Sequence, residues 1–453
     1  MIIKTDRSRI ESATCPAKRW WEYEHPTGGD VHGLRPQKPN VALSVGTGVH
    51  AGVEHLLRNL QQFGYGNSSD AWLEGAIQSG IAAYQAAVGA IIPQQVFNPL
   101  SSLDEMELRL FPTPAAELDE AATPYEIAEG MAHVEALIRA FYLSRRGLSW
   151  IAENYEVVDV ETEHEWSLRV VAEKRGLLDE ASILGDINAD VVMMSRLDGV
   201  LRSKSDGMLY VFELKTAKTL DTRTLRQLQY DDQGLAQSLA AEDKYNEPIA
   251  GEQRLYLLKD EKRSDTDNRY RFASPLIRPY VQYGMTPSDA QIEPLYDKPG
   301  GGRLGKGFRR QNIWEVGQLG IARWLERLNS RWPEVVDQRV VPLDIVVRTE
   351  EDVDSWILTT LEREVEVAFK ADALRFGLLS GDHNLSEITR AFHRQFGKRR
   401  KLCAYPSPCP FIGLCHEGKG LALLAGEAQP EEVGFVRRIA NHPGEVEINV
   451  ENN

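Results

Sequence analysis

The four cysteines of this 453-residue chain constrain its fold more than any other feature: Cys15 stands near the start, and Cys403, Cys409 and Cys415 stand together near the end. If all four serve one centre, the two ends of the chain must meet. The three late cysteines, with five residues between neighbours, lie in the Pro-rich segment CAYPSPCPFIGLC, which makes a loop able to wrap a soft metal centre, with Cys15 as fourth ligand. Four thiolates suit an iron–sulfur cluster or tetrahedral zinc. A disulfide framework fits poorly, because MIIKTDRSRIES lacks the charged, apolar and small-residue run of a leader and four cysteines are a sparse set of staples for so long a chain. The expected location is the cytoplasm.

At 42% hydrophobic and 26% charged residues the chain is an ordinary globular one, long enough for one large or two moderate domains. No apolar run approaches the roughly 18 to 20 residues of a membrane span. The formal charge of -15, from 67 acidic and 52 basic residues, argues against a general nucleic-acid coat. Two basic stretches run against that balance: Arg303, Lys306, Arg309 and Arg310 in GGGRLGKGFRRQ, and Arg394, Lys398, Arg399, Arg400 and Lys401 leading into Cys403. Phe308, Trp314 and Phe396 lie close to these stretches, where they serve either base stacking or the core. KPGGGRLGKG has the glycines of a phosphate loop without its GK[ST] ending, so the chain is not expected to be its own motor.

Helical patterning dominates the first part. VHAGVEHLLRNL carries apolar residues at helical intervals and sets His50 and Glu54 four apart on one face. From 68 to 146 the text is helical or irregular, broken by Pro93, Pro99, Pro112, Pro114 and Pro124, and reads as an insertion outside the core. From Tyr155 the period becomes that of strands: YEVVDVETEHEWSL, ADVVMMSRLDGVL and MLYVFELKT. A helix over QLQYDDQGLAQSLAAE, a strand at QRLYLLKD, a helix near NIWEVGQLGIARWLERL and another after Thr349, capped through Asp352, follow. The polar, acidic residues after Gly426 read as a poorly packed tail.

The chemistry concentrates between Asp198 and Gln233. Asp198 ends an apolar strand, and an Asp206-Gly207 turn folds the chain into a second strand, with Val211, Glu213 and Lys215 on one face and Tyr210, Phe212 and Leu214 on the other. Asp198 and Glu213 from neighbouring strands suit a hard divalent cation, Mg²⁺ or Mn²⁺, which polarises a phosphodiester and acidifies a water; the Leu214 carbonyl could complete its shell. Lys215 would orient the water or stabilise the charge of the transition state. A cross-strand ion-pair set on a sheet surface is the alternative use of the same residues.

In that order the segments resemble the RecB-like branch of the PD-(D/E)XK nucleases, which includes the AddB-type and CRISPR-associated iron–sulfur nucleases. They are TCPAKRWWEY around Cys15, GTGVHAGVE around His50, RLDGVL around Asp198, FELKTAK around Glu213 and Lys215, DDQGLAQ around Gln233, and the closing cysteines. The resemblance implies a restriction-endonuclease-like α/β core, a mixed central sheet flanked by helices, over 1–426, with a helical insertion at 58–150, the catalytic core at 155–260, and a cysteine region at 398–420 closing on Cys15 ahead of an acidic tail at 427–453. It makes His50 a third cation ligand, puts Gln233 beside Lys215 or the DNA, and favours a structural [4Fe–4S] cluster at Cys15, Cys403, Cys409 and Cys415 over zinc. The activity implied is a DNase, an exonuclease by family analogy, acting on ends or single strands in DNA processing, repair or recombination. A non-cleaving DNA-binding or scaffolding subunit, attached to a helicase or other recombination protein, is the alternative. Two departures stand out: the family's cysteines commonly have gaps of two and five, where this chain has five and five, and Gln237 stands where the family often has a tyrosine.

Overall fold

A computed structural model describes residues 2–27, 31–36, 41–89, 124–178, 189–217, 220–228, 231–259, 337–380, 384–403 and 409–438. The basic stretch at 303–310, Phe308, Trp314, the helix expected at 312–328 and the last residues of the tail lie outside them.

The alternating segments form strands as their period requires. They are β3 (Tyr155–Ser167), β4 (Asp190–Ser203), β5 (Leu209–Ala217) and β6 (Ile249–Leu258), joined by β1 (Ile2–Asp6) and the short β7 (Val340–Pro342) in one mixed sheet. The turn between β4 and β5 is the one read from sequence: Gly207 takes a φ of 73°, where a side chain is strained, and the Met208 amide donates to Asp206 Oδ1 at 2.9 Å.

The centre of the sheet is unusual in one respect. β3 pairs antiparallel along almost all of β4 and so takes one edge of it. The other edge is divided: β1 runs parallel to residues 190–194, and β5 runs antiparallel to residues 199–202. Between Met194 and Gly199 that edge of β4 meets neither strand, and the carboxyl ends of β1 and β5 both point into the opening. Beyond it β5 continues beside β6 in parallel. Strand alternation also slips here, since Leu197 and Val200, three residues apart, both enter the same core.

Helices cover both faces. On one, α3 (Val41–Phe63), α4 (Asp70–Gly89), α5 (Pro124–Leu143) and α6 (Leu148–Asn154) share a core with Tyr210, Phe212 and Leu214 of β5 and with Leu255 and Leu257 of β6. On the other, α7 (Leu168–Lys174), α9 (Asp232–Tyr245) and α10 (Glu350–Ser380) pack on Val191, Met193 and Leu197 of β4 and Val211 of β5. The short α8 (Thr222–Gln227) leads into α9. Thr349 and Asp352 cap α10 reciprocally, the Asp352 amide donating to Thr349 Oγ1 at 3.1 Å.

Three expectations about boundaries change. The described helices between 70 and 154 cover a sheet face and share its core, so they are a layer of the fold; the boundary at residue 58 falls inside α3. The sheet draws strands from 2–6 and 340–342, outside 155–260, because long-range pairing leaves no mark in a local pattern. The segment after Gly426 forms β8 (Phe435–Arg437), paired antiparallel to β2 (Leu34–Pro36), with Phe435 buried against Phe411. One well-placed aromatic ring anchors what composition alone marks as a loose tail.

The ends of the chain do meet. After α1 (Arg7–Ser12), Cys15, the short α2 (Pro16–Arg19), Trp20 and Trp21 share a core with Leu374 of α10, Phe392 and Phe396 around α11 (Leu385–Gln395), and Phe411. Cys409 and Cys415 pack against it beside α12 (Ile412–His416) and α13 (Lys419–Leu424). Each fully buried aromatic contributes roughly 1.5–3 kcal/mol, so apolar packing holds this junction. Phe396 is buried against Trp20 and serves packing, not base stacking. No described helix is long and apolar enough to cross a membrane.

Candidate active site

The opening in the sheet is where the chemistry collects. A cleft of about 400 Å³ is lined by Asp6 and Arg7 from the end of β1, Ser195, Arg196 and Asp198 from the unpaired edge of β4, Glu213 and Lys215 of β5, His50, Gln233 and Gln237. Because the sheet is parted here, helices from both layers reach the same point: α3 supplies His50 and α9 supplies Gln233. This is the crevice at strand carboxyl ends where open α/β sheets commonly hold ligands.

Asp198 is buried, and its Oδ2 accepts the Leu214 amide at 2.9 Å, which locks β4 to β5 at the fork. His50 Nδ1 lies 3.5 Å from the same oxygen. Burial works to raise the Asp198 carboxyl, but His50, then Lys215 and the Leu214 amide, hold it below its ordinary value. Burial likewise pulls His50 down, and Asp198, Glu213 and Glu161 outweigh it, so the imidazole titrates above its ordinary value.

Glu213 has a side chain only 3% exposed. Its Oε1 accepts from both Lys215 Nζ and Gln233 Nε2, and Lys215 Nζ also donates to Gln233 Oε1, so the three side chains close a ring. Its Oε2 is buried with no hydrogen-bond partner. Burial and then Asp198 raise Glu213, against the pull of Lys215. A buried carboxylate oxygen left this way is costly unless something positive reaches it.

Gln233 owes its place to two neighbours. Asp231 caps α9, accepting the Gln233 amide at 3.0 Å, while Arg254 Nη1 holds Asp231 at 3.1 Å. Gly234 lets the first turn lie against β6, since a Cβ there would stand 1.9 Å from the Glu252 carboxylate. Gln237 is buried and donates to the Arg196 carbonyl at 3.2 Å, so an amide ties α9 to β4.

The structure thus brings His50, Asp198, Glu213, Lys215 and Gln233 together, with Leu214 present through its amide. It also adds one that sequence reasoning missed. Glu161, on β3, falls opposite Asp198, between the pairs Val160–Gly199 and Thr162–Leu197. Its φ of 46° is rare for a non-glycine residue. Its Oε1 lies 3.9 Å from His50 Nδ1 and its Oε2 lies 3.2 Å from Arg196 Nε. Burial and Asp198 push it up to about 7, against Arg196 and His50. Among the described residues, His50, Glu161 and Asp198 form the one group whose donor atoms all lie within 4.8 Å of one another. A second cleft of about 370 Å³, lined by Gly46, Thr47, Glu54 and Thr216 among others, shares His50, Arg196 and Lys215 with the first.

The cysteines form a separate group. Cys15 is buried and the other three are half-buried. Burial pushes the Cys415 thiol up to about 11, with Lys398 pulling down and the other three thiols adding to the rise, so all four feel one another. Lys398 donates to the Cys415 carbonyl, and Cys403 Sγ lies 3.4 Å from His416 Nε2. Cys15, Cys409 and Cys415 share one apolar core, and soft donors from both ends of the chain in that setting suit a soft metal centre.

The fold and the site together define a mixed α/β protein whose parted sheet gathers the donor group His50, Glu161 and Asp198. Compared with protein-family models and with curated proteins, the chain matches none.

Proposed function

We propose that this chain is a divalent-metal-dependent deoxyribonuclease, an exonuclease of DNA processing, repair or recombination, with a structural [4Fe–4S] cluster at its four cysteines. One observation carries the reading: Glu213 Oε2 is buried and unpartnered beside Asp198 and a lysine already held at the cleft. A sheet-surface ion-pair set, the other use of these residues, would leave no orphaned oxygen and would lie in solvent.

Asp198, Glu213 and His50 would hold the cation, which when bound supplies Lewis-acid polarisation of a phosphodiester and a more acidic water. The protein's own residues do the rest. Glu213 and Gln233 fix the Lys215 ammonium in the cleft, where it stabilises the negative charge that grows on the phosphate oxygens. Gln233, tied to both, keeps the lysine from collapsing onto the carboxylate alone. Arg196, with a side chain 56% exposed at the wall between the two clefts, and Arg7 at the end of β1 offer guanidinium groups to phosphates. Arg394, Arg399 and Arg400 add exposed positive charge near the cysteines on an otherwise acidic chain.

The test is digestion of end-labelled linear DNA and of closed circles with Mg²⁺ or Mn²⁺, comparing the intact protein with Lys215→Ala. Loss of linear DNA with the intact protein alone, circles spared, is the expected result. Cut circles would make it an endonuclease, and no cleavage under either metal by cluster-loaded protein would point to a binding subunit. Iron content and visible absorption of anaerobically purified protein test the cluster; colourless protein with stoichiometric zinc would sink it.

A further inference from the structure

The four thiols are not held alike, and the difference singles out a side chain that no motif assigns; the inference rests on the reading of the cysteines above as one metal centre. Cys15, Cys409 and Cys415 pack in the apolar core that joins the ends of the chain, and Cys403 stands outside it. Two of the packed thiols also have a positive or donating neighbour. Burial raises the Cys409 thiol, and the Phe411 amide and Lys18 oppose the rise. Burial raises Cys415, and Lys398, which donates to the Cys415 carbonyl, opposes it.

Cys403 is restrained differently. It follows the single turn Arg400–Leu402, and its carbonyl accepts the Cys409 amide at 2.8 Å, so its backbone is tied while its side chain is left to polar contacts. Two groups meet its Sγ: the Arg399 carbonyl at 3.8 Å and His416 Nε2 at 3.4 Å. Only a protonated thiol can use the carbonyl. Cysteine binds a metal as the thiolate, so of these two the imidazole is the one that can serve the ligand, as a donor to a negatively charged sulfur. His416 is the last residue of α12, where the Cys415 amide donates to the Phe411 carbonyl at 3.1 Å. The ring that meets the first of the late cysteines is thus carried by the residue next to the last of them. A half-buried thiolate without a donor is open to water and to protonation, and either frees it from a metal; a donor fixed on a helix end opposes both.

We propose that His416 is a positioning residue of the thiol centre: its Nε2–H donates to the Cys403 thiolate and holds that sulfur on the metal. Packing keeps three of the ligands in place, and this one hydrogen bond does the same for the fourth.

The experiment challenges the full, anaerobically purified chain with rising EDTA and follows iron and zinc content together with visible absorption, on the wild type, His416→Phe and His416→Gln. Removing a group that orients a metal ligand weakens a site about 10–100-fold, so His416→Phe is expected to give up half its metal at a chelator concentration lower by about that factor. His416→Gln, whose side-chain amide keeps an N–H donor, is expected to recover most of the loss. Far-ultraviolet circular dichroism of the loaded proteins, expected to coincide, separates this effect from unfolding; should His416→Phe not fold, His416→Ala replaces it. Equal resistance in the wild type and His416→Phe would overturn the proposal. Equal loss in His416→Phe and His416→Gln would overturn it too, by making the ring itself a ligand. Colourless zinc protein weakened by His416→Phe and rescued by His416→Gln supports the proposal and sinks the iron–sulfur cluster, whereas iron-loaded, coloured protein indifferent to His416 overturns the proposal and leaves the cluster intact. A chain that carries no metal at its thiols sinks both.

Discussion

Two buried charge clusters, one centred on the N-terminal segment and one at the fork of the sheet, solve opposite problems. Glu24, 1% exposed, accepts from Arg9 Nη2 and Arg19 Nε at 2.8 Å each and pairs with Arg375; Arg19 also reaches Glu364 at 2.8 Å, and Thr5 Oγ1 donates to Glu364 at 3.0 Å. Burial works to raise Glu24, yet the three guanidiniums hold it far below the usual carboxylate range. At the fork the carboxylates are nearly as buried, but Glu161 and Glu213 move up. Burial alone therefore does not decide the direction; the count of cations supplied by the chain does. The first cluster is complete and fastens the chain. The second leaves the buried Glu213 Oε2 without a partner, as expected of a place built to receive a cation.

The comparison can be broken most severely at Arg19. Arg19→Met should cost about 3–5 kcal/mol, the cost of stranding a buried ion's partner, and a shift in urea midpoint measures it; a change under about 1 kcal/mol would mean that the Glu24 cluster is not a fastening. Next is Lys215→Ala, expected to lower cleavage about 10²–10³-fold while far-ultraviolet circular dichroism stays that of the intact chain. A drop in folded content of the same order as the drop in rate would move Lys215 to the fastening side of the comparison.

A pH series sharpens it further. Burial, then His32 and Arg375, pull buried His25 down from 6.5 to about 4, and burial and Arg375 pull His32 to about 4. The unfolded chain takes up these protons near 6.5 and the folded chain only near 4, so this stability is full above pH 6.5 and lost as pH falls to 4. His25 alone accounts for up to about 3 kcal/mol. His25→Phe, beside Trp20 and Trp21, should flatten that limb of the stability curve, and an unchanged slope would remove His25 from the explanation. The smallest effect is expected at Glu161. In EDTA, Glu161→Gln should raise stability at pH 8 by on the order of 1 kcal/mol, once the lost Arg196 pair is set against relief of the buried charge. A loss of stability would place Glu161 with the fastening carboxylates.

Much of this was legible from residues alone, and the limits are physical. The strands 155–167, 190–203 and 209–217 declare themselves by alternation, the Asp206-Gly207 turn by its residues, and the cap of α10 by Thr349 and Asp352. Asp198, Glu213 and Lys215 follow from that hairpin, and His50 and Gln233 only through the resemblance. Glu161 could not be singled out, because Glu161, Glu163 and Glu165 look alike on one alternating strand. What distinguishes it is the register that sets it opposite Asp198 and a backbone angle that no local pattern encodes. The same holds for β1, whose pairing with residues 190–194 is what brings Asp6 and the residues after it to the wall of the cleft. Glu252, one residue ahead of the strand expected at QRLYLLKD, lies inside β6, where Arg254 and Arg348 hold it.

The divided edge of β4 also has a consequence for biosynthesis. Asp6 and Arg7 are made early, yet the strand that leads to them has no partner until residue 190 is made and no contact with Glu364 until that helix exists. A nascent chain on the ribosome would thus carry Asp198, Glu213 and Lys215 before the helix that bears Glu364 can pack on the sheet. A translation product interrupted before residue 350 would hold these residues without the long helix that packs on the same sheet, so the order of the sequence ties this face of the fold to completion of the chain.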